Sequence, residues 1–187
     1  MRYQPIMQKP YCCVPACLSM ILDRRGIPHG SQEEIGWDLG LTVHESEVYW
    51  FSKVRTGEKP PSGFGTQVGK EEYSIGLYFQ AHDIPLQFAY FHPDDIGDKD
   101  VFVSENIKLD NDIMACFAYI TIDNEFSSGH AVLAESINDG KLAFLNPMLA
   151  THHEKSLDEL VYRMQFHGRE RMGGFWVIAD KIRKIYK

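Results

Sequence analysis

The sequence predicts an α+β protein with a largely antiparallel sheet, and three observations lead there. Helical signals crowd the first eighty or so residues, while short β-rich runs bounded by turn residues fill most of the remaining chain. Ile113 to Ile122 is a continuous apolar run rich in β formers, as suits a central strand buried on both faces. Residues 129–147 then read as two strands around Asn138-Asp139-Gly140, a turn signal that makes antiparallel neighbours.

In chain order, residues 1–11 form an extended lead-in with two prolines that delivers Gln8 close to a first helix. That helix is expected from about Val14 to Arg24. Pro15 suits its first turn, where a missing N–H costs nothing, and Gly26 with Pro28 ends it. Ala16, Leu18, Met20, Ile21 and Leu22 are apolar on all sides, so the helix is expected to be buried. Ser31 and Glu34 are spaced as a capping box for a short helix ending at Gly40. Leu41 to Lys53, with Val48, Tyr49, Trp50 and Phe51, fits helix or strand equally.

Arg55 to Gly69 is a Gly/Pro-rich loop with Phe64 at its centre. Its glycines fall one residue short of phosphate-loop spacing and lack the Ser/Thr that would meet a metal ion. A loop of this length inside a compact domain is a candidate flap. Further on, a helix is expected over 71–82, a strand over 84–91, and a short helix over 104–109 inside an acidic connection. After the hairpin, Ser156 to Met164 has helical spacing with Ser156 as cap, and Phe175 to Ala179 is the last strand before a basic tail.

At 187 residues the chain is expected to form one domain, 1–187. A formal net charge of −7 argues against a nucleic-acid surface. No apolar run approaches the roughly 20 residues that span a bilayer, and the N-terminus lacks a signal-peptide pattern, so a cytoplasmic location without membrane contact is expected. Cysteines fall at 12, 13, 17 and 116, three of them within six residues. That is no disulfide framework, and a cytosolic chain keeps such thiols reduced. Adjacent cysteines are also awkward for tetrahedral ligation, so neither metal nor cofactor is expected.

The chemistry concentrates at two places. Cys12 and Cys13 stand at the start of the first helix, where the macrodipole and unpaired N–H groups favour thiolate over thiol. Far downstream, His130 opens one hairpin strand and Asn146 closes the other, so the two come together at the hairpin's open end. Asn146 can hold the imidazole by one ring nitrogen and leave the other for a cysteine. Cys17, one turn after Cys13, and Cys116 read as core residues.

Gln8, the run Cys13-Val-Pro-Ala-Cys17, the strand Gly129-His130-Ala-Val-Leu and the turn Leu145-Asn146-Pro147 resemble the papain-like cysteine peptidases of the C39 and C39-like type. In that pattern Cys12 stands in place of an Asp, Val14 of a Gly and Asn146 of an Asp. The resemblance implies a papain-like fold, in which a helix carrying the cysteine packs on a sheet carrying the histidine. It further implies Cys13 as nucleophile, His130 as base, Asn146 as orienting residue and Gln8 as oxyanion donor, acting on a peptide or protein substrate. Cys12 stays open as the rival nucleophile or as a resolving thiol. Three other readings stand beside the hydrolase: an acyl or peptidyl transferase on the same triad, a binding module that kept the fold without the chemistry, and a redox or metal-binding protein using the vicinal cysteines.

Overall fold

The structure, a computed structural model, describes residues 2–52, 59–120 and 126–182. Helix α1 (Cys13–Arg24) forms where the sequence places it, and every residue from Val14 to Leu22 is buried. That all-round burial is why its sequence shows no polar stripe. Gly26, at φ +65°, turns the chain out of the helix, and Ile27 N donates back to Leu22 O at 2.9 Å. Helix α2 (Gln32–Asp38) begins with the expected capping box. Ser31 Oγ accepts from Glu34 N, and the Glu34 carboxylate accepts from Ser31 N at 2.7 Å.

The ambiguous stretch after Leu41 resolves into a single 3-10 helix, Glu45–Trp50, preceded by bridging residues. Thr42 pairs with Gly65 and Val43 with Ser62, so the described part of the Gly/Pro-rich loop, 59–69, is stitched to residues 42–43. Residues 55–58 of that expected flap lie outside the described residues. The helix expected over 71–82 is broken at Ser74. A 3-10 turn, Glu71–Tyr73, precedes it, and helix α3 (Ile75–Ala81) follows, capped by Ser74 Oγ accepting from Leu77 N. Ser competes with the helical backbone for its own hydrogen bonds, which favours a cap over continuation. These elements belong to one compact unit, Met1–Ile84 with Pro147–Thr151.

The second unit, Pro85–Asn146 with His152–Lys187, is built on a six-stranded sheet. Its strands are β1 (Gln87–Phe91), β2 (Asp112–Ile120), β3 (Phe126–Asn138), β4 (Lys141–Asn146), β5 (Thr151–Ser156) and β6 (Gly174–Ala179). They lie in the order β1-β6-β2-β3-β4-β5, with β1/β6, β6/β2, β2/β3 and β3/β4 antiparallel. The late strand β6 is thus inserted between β1 and β2, and all six of its residues are buried. Helix α4 (Lys99–Lys108) is longer than expected and starts earlier, because Asp98 caps it by accepting from Val101 N at 2.9 Å. Phe102 and Val103 of α4 join Ile113, Phe117, Val132 and Phe144 in the unit's core, with Leu160 and Met164 of helix α5 (Leu157–His167).

Strand β5 has no counterpart in the sequence reading. Its residues, Thr-His-His-Glu-Lys-Ser, are nearly all exposed at the sheet edge, so no apolar alternation announces it. Strand β3 begins at Phe126, so His130 lies within the strand rather than opening it. The turn between β3 and β4 is as expected: Asp139 and Gly140 both take positive φ, the two-residue connection that a twisted hairpin favours. The fold class is therefore α+β: three helices lead the chain, and α4 and α5 interrupt the strands of the sheet that follows. Among the described residues no helix is long and apolar enough to cross a membrane.

Candidate active site

The approach to Cys13 is a tight turn. Cys12 N donates to Lys9 O at 3.0 Å across Pro10 and Tyr11, and Tyr11 has φ +60°. Proline at the second position and positive φ at the third define a type II turn, whose third position normally belongs to glycine. A tyrosine there costs about 1 kcal/mol or more in backbone strain. The turn sends Cys12 inward and starts α1 at Cys13. Cys12 is fully buried with Leu41, Val43 and Phe51, and its pKa is pushed up to about 12 by burial, then by Cys13 beside it and by Glu33, against the pull of Lys9. A thiol so placed stays protonated at neutral pH and packs in the interior. Cys13 is partly exposed at the N-terminal end of a twelve-residue helix, and all four cysteines are outside disulfides. Val14 is buried, as are Cys17 and Cys116.

Gln8 lies on the extended segment before the turn, and its backbone is held on three sides. Gln8 N donates to Pro147 O at 2.8 Å. Gln32, the first residue of α2, brackets Gln8 with one side chain: its amide nitrogen donates to Met7 O at 2.9 Å and its oxygen accepts from Lys9 N at 3.0 Å. Lys9 also forms an ion pair with buried Glu33, whose carboxylate accepts from Ser52 Oγ as well. Burial pushes the Glu33 pKa up, but the bonds from Lys9 and Ser52 outweigh it and hold the group below its usual value. The sequence reading missed Gln32 and Glu33 as supports. Their spacing signals only the start of a helix, and nothing local points to residues 7–9. The Gln8 side chain differs from its backbone: Oε1 is buried with no hydrogen-bond partner. As a carbonyl oxygen it can only accept, so the unmet capacity is an acceptor's and not a donor's.

On the sheet, His130 and Asn146 meet as the hairpin predicts. His130 Nε2 lies 2.8 Å from Asn146 Oδ1. A carbonyl oxygen only accepts, so Nε2 carries the proton and Nδ1 of the neutral ring is left as a base. The register explains the meeting. Leu133 pairs with Leu145, which brings Asn146 level with Val132, and His130 lies one pleat farther along the same face. A bulge between Ala134 and Ser136 sets this register; without it the pairing would slip by one residue and turn Asn146 to the other face. Phe117, directly opposite His130, and Tyr119 present ring contacts at 5.9 and 6.1 Å, nearly perpendicular to the imidazole. His130 is only 4% exposed, and burial lowers its pKa more than the Asn146 bond raises it. The imidazole is therefore neutral near pH 7.

The structure thus places Gln8 and Cys13 in the first unit and joins His130 to Asn146 in the second. Among the described residues no three His, Cys, Asp or Glu side chains gather as ligands for a metal ion. Trp176 is buried, with its Nε1 donating to Met172 O at 2.8 Å, whereas Trp50 is exposed.

A helix that begins at a cysteine is followed along the chain by an antiparallel sheet bearing the His130–Asn146 pair. The chain is similar in structure to the crystal structure of a candidate C39-like peptidase from Bacillus anthracis, with a TM-score of 0.61 over 96% of each chain. Sequence identity to it is 10%, so the likeness is one of fold. No protein-family model and no curated protein matches the sequence.

Proposed function

We propose that the protein is a cysteine hydrolase of peptide or amide bonds, with its two units acting as one papain-like domain. Cys13 is the nucleophile, His130 the general base, Asn146 the orienting residue and Gln8 an oxyanion donor. The observation that carries this reading is the His130–Asn146 bond. It fixes the tautomer in which Nδ1 can take a proton, on a ring kept neutral by burial. Further support comes from the backbone: Pro147, the residue after Asn146, accepts the bond that anchors Gln8.

In this mechanism His130 Nδ1 removes the Cys13 thiol proton as Sγ bonds to the substrate carbonyl carbon. The developing oxyanion is stabilised by the Gln8 side-chain amide and the Cys13 N–H, donors worth about 3 kcal/mol each in comparable sites. Collapse breaks the C–N bond, and His130 returns its proton to the departing amine. Water, deprotonated by the same imidazole, then hydrolyses the thioester and restores the thiol. Such chemistry suits a reducing compartment, where Cys13 stays a thiol.

The test is alkylation by iodoacetamide as a function of pH, with peptide mapping, on the wild type and on His130→Ala. Cys13 is expected to react fastest, to react below its free-thiol pKa of about 8.5, and to lose that advantage without His130. Cys12 is expected to remain unlabelled in the folded protein. If Cys13 titrates like a free thiol in both proteins, the hydrolase reading fails.

A further inference from the structure

Phe64 is 69% exposed, the highest value among the large hydrophobic side chains of the described residues. It is nevertheless held in place. Its ring meets Tyr11 edge-on, with centroids 5.9 Å apart and planes at 73°, and lies 5.6 Å from the His44 ring. The backbone beneath it is fastened on both sides. Thr42 N donates to Gly65 O at 2.9 Å and Gly65 N to Thr42 O at 2.8 Å, while Val43 accepts from Gly63 N at 3.0 Å. Gly63 lies so close to Thr42 that a Cβ would come within 2.4 Å of its hydroxyl oxygen, so the loop is pressed onto its neighbour at the point where it raises Phe64.

Three aromatic side chains from separate segments, Tyr11, His44 and Phe64, thus converge at the surface. None of this serves the core: the neighbouring buried cluster is Cys12, Leu41, Val43 and Phe51, with Tyr11 only at its margin. The left-handed conformation of Tyr11 is a second, independent observation. Strain held by a bulky residue next to a nucleophile marks a position used for more than folding. Ordered aromatic surface left open to water is what binding sites for apolar groups present.

We propose that Tyr11, His44 and Phe64 form a subsite that takes an aromatic side chain of the peptide attacked by Cys13. This rests on the hydrolase reading above. Tyr11 is two residues from Cys13, a separation of at most about 7 Å along the backbone. An extended substrate advances roughly 3.3 Å per residue, so a side chain one to three positions from the scissile carbonyl reaches the shelf. An aromatic ring there completes a cluster of edge-on and tilted contacts, where a small side chain would leave all three rings wet.

The experiment compares labelling rates at Cys13 for two series of electrophilic peptides. Peptidyl chloromethyl ketones extend to the acyl side, and chloroacetyl peptides extend to the leaving-group side. Each carries Phe or Ala at one, two or three positions from the electrophile, and iodoacetamide reports the reactivity of Cys13 itself. At one position Phe is expected to label wild type at least tenfold faster than Ala. Phe64→Ala should bring that ratio close to one, and Phe64→Tyr should retain it. No preference for Phe at any position, or a preference that survives Phe64→Ala, overturns the subsite while leaving the hydrolase reading intact. A Cys13 that reacts with iodoacetamide no faster than a free thiol overturns the hydrolase reading and the subsite with it.

Discussion

The cysteine arm and the histidine hairpin bring their residues into place by opposite means. Around Cys13 the devices are short in sequence and strained: a proline, a tyrosine in a conformation meant for glycine, and a helix start. Around His130 they are long in range and relaxed. Strand pairing from Phe117 across to Leu145, with one bulge, delivers Asn146 to the imidazole. Distant supports reach the cysteine arm as well: Gln32 of α2 bonds both peptide groups flanking Gln8, Pro147 O accepts from Gln8 N, and Glu33 pairs with Lys9. A locally built arm depends on each of its own residues. A register, by contrast, is shared among many pairs and resists single substitutions.

The sharpest contrast within the cysteine arm is between neighbours. On the proposed hydrolase reading, Cys13→Ala is expected to lower kcat/KM by on the order of 10⁴-fold or more, because it removes the proposed nucleophile. Cys12→Ala should leave catalysis near wild type and cost about 1–2 kcal/mol of stability, as loss of a buried packing residue does. Peptidase assays beside urea melts separate the two, and the reverse pattern would exchange their roles. Gln8→Ala is expected to reduce kcat roughly 10²-fold with little change in KM, the behaviour of a donor engaged mainly in the transition state.

Gln32→Ala probes the distant support. Freed of its bracket, the Gln8 segment should drift, and kcat should fall by about tenfold, since even 1 Å of misplacement can cost up to about 10²-fold. An unchanged kcat would mean that the Pro147 bond suffices alone.

The hairpin is better tested by pH. Burial depresses the pKa values of both His130 and His167, so the unfolded chain binds more protons than the folded one as pH falls through the ordinary imidazole value. Their contribution is fully present above about pH 6.5 and is lost below it. The melting temperature should hold steady above neutrality and decline between about pH 6.5 and 5, a window above that of the carboxylates. His130→Gln should flatten part of that decline. The smallest effect is expected for Tyr11→Gly. Relief of the left-handed strain opposes the entropy of a new glycine and the lost ring contact with Phe64, leaving a net change within about 1 kcal/mol by chemical denaturation.

Much of this was legible from local chemistry. Pro15 and Gly26 bound α1, Ser31 and Glu34 cap α2, and Asp139-Gly140 turns the hairpin that carries His130 and Asn146. Each depends on residues only a few positions apart, where sterics and capping bonds act without help from the rest of the fold. Two features lie beyond that reach. Strand β5 is polar because it is an edge, and β6 fits between β1 and β2 only once both exist.

The sequence by itself determined the helix start at Cys13 and the turn that joins the strands of His130 and Asn146, because helix ends and tight turns are governed by near neighbours. Tertiary structure alone decided which of two adjacent cysteines is buried, what holds Gln8, and that an exposed phenylalanine is held against Tyr11, two residues from Cys13. Burial, and hydrogen bonds between distant segments such as Gln32 and Met7, exist only after the chain has closed on itself.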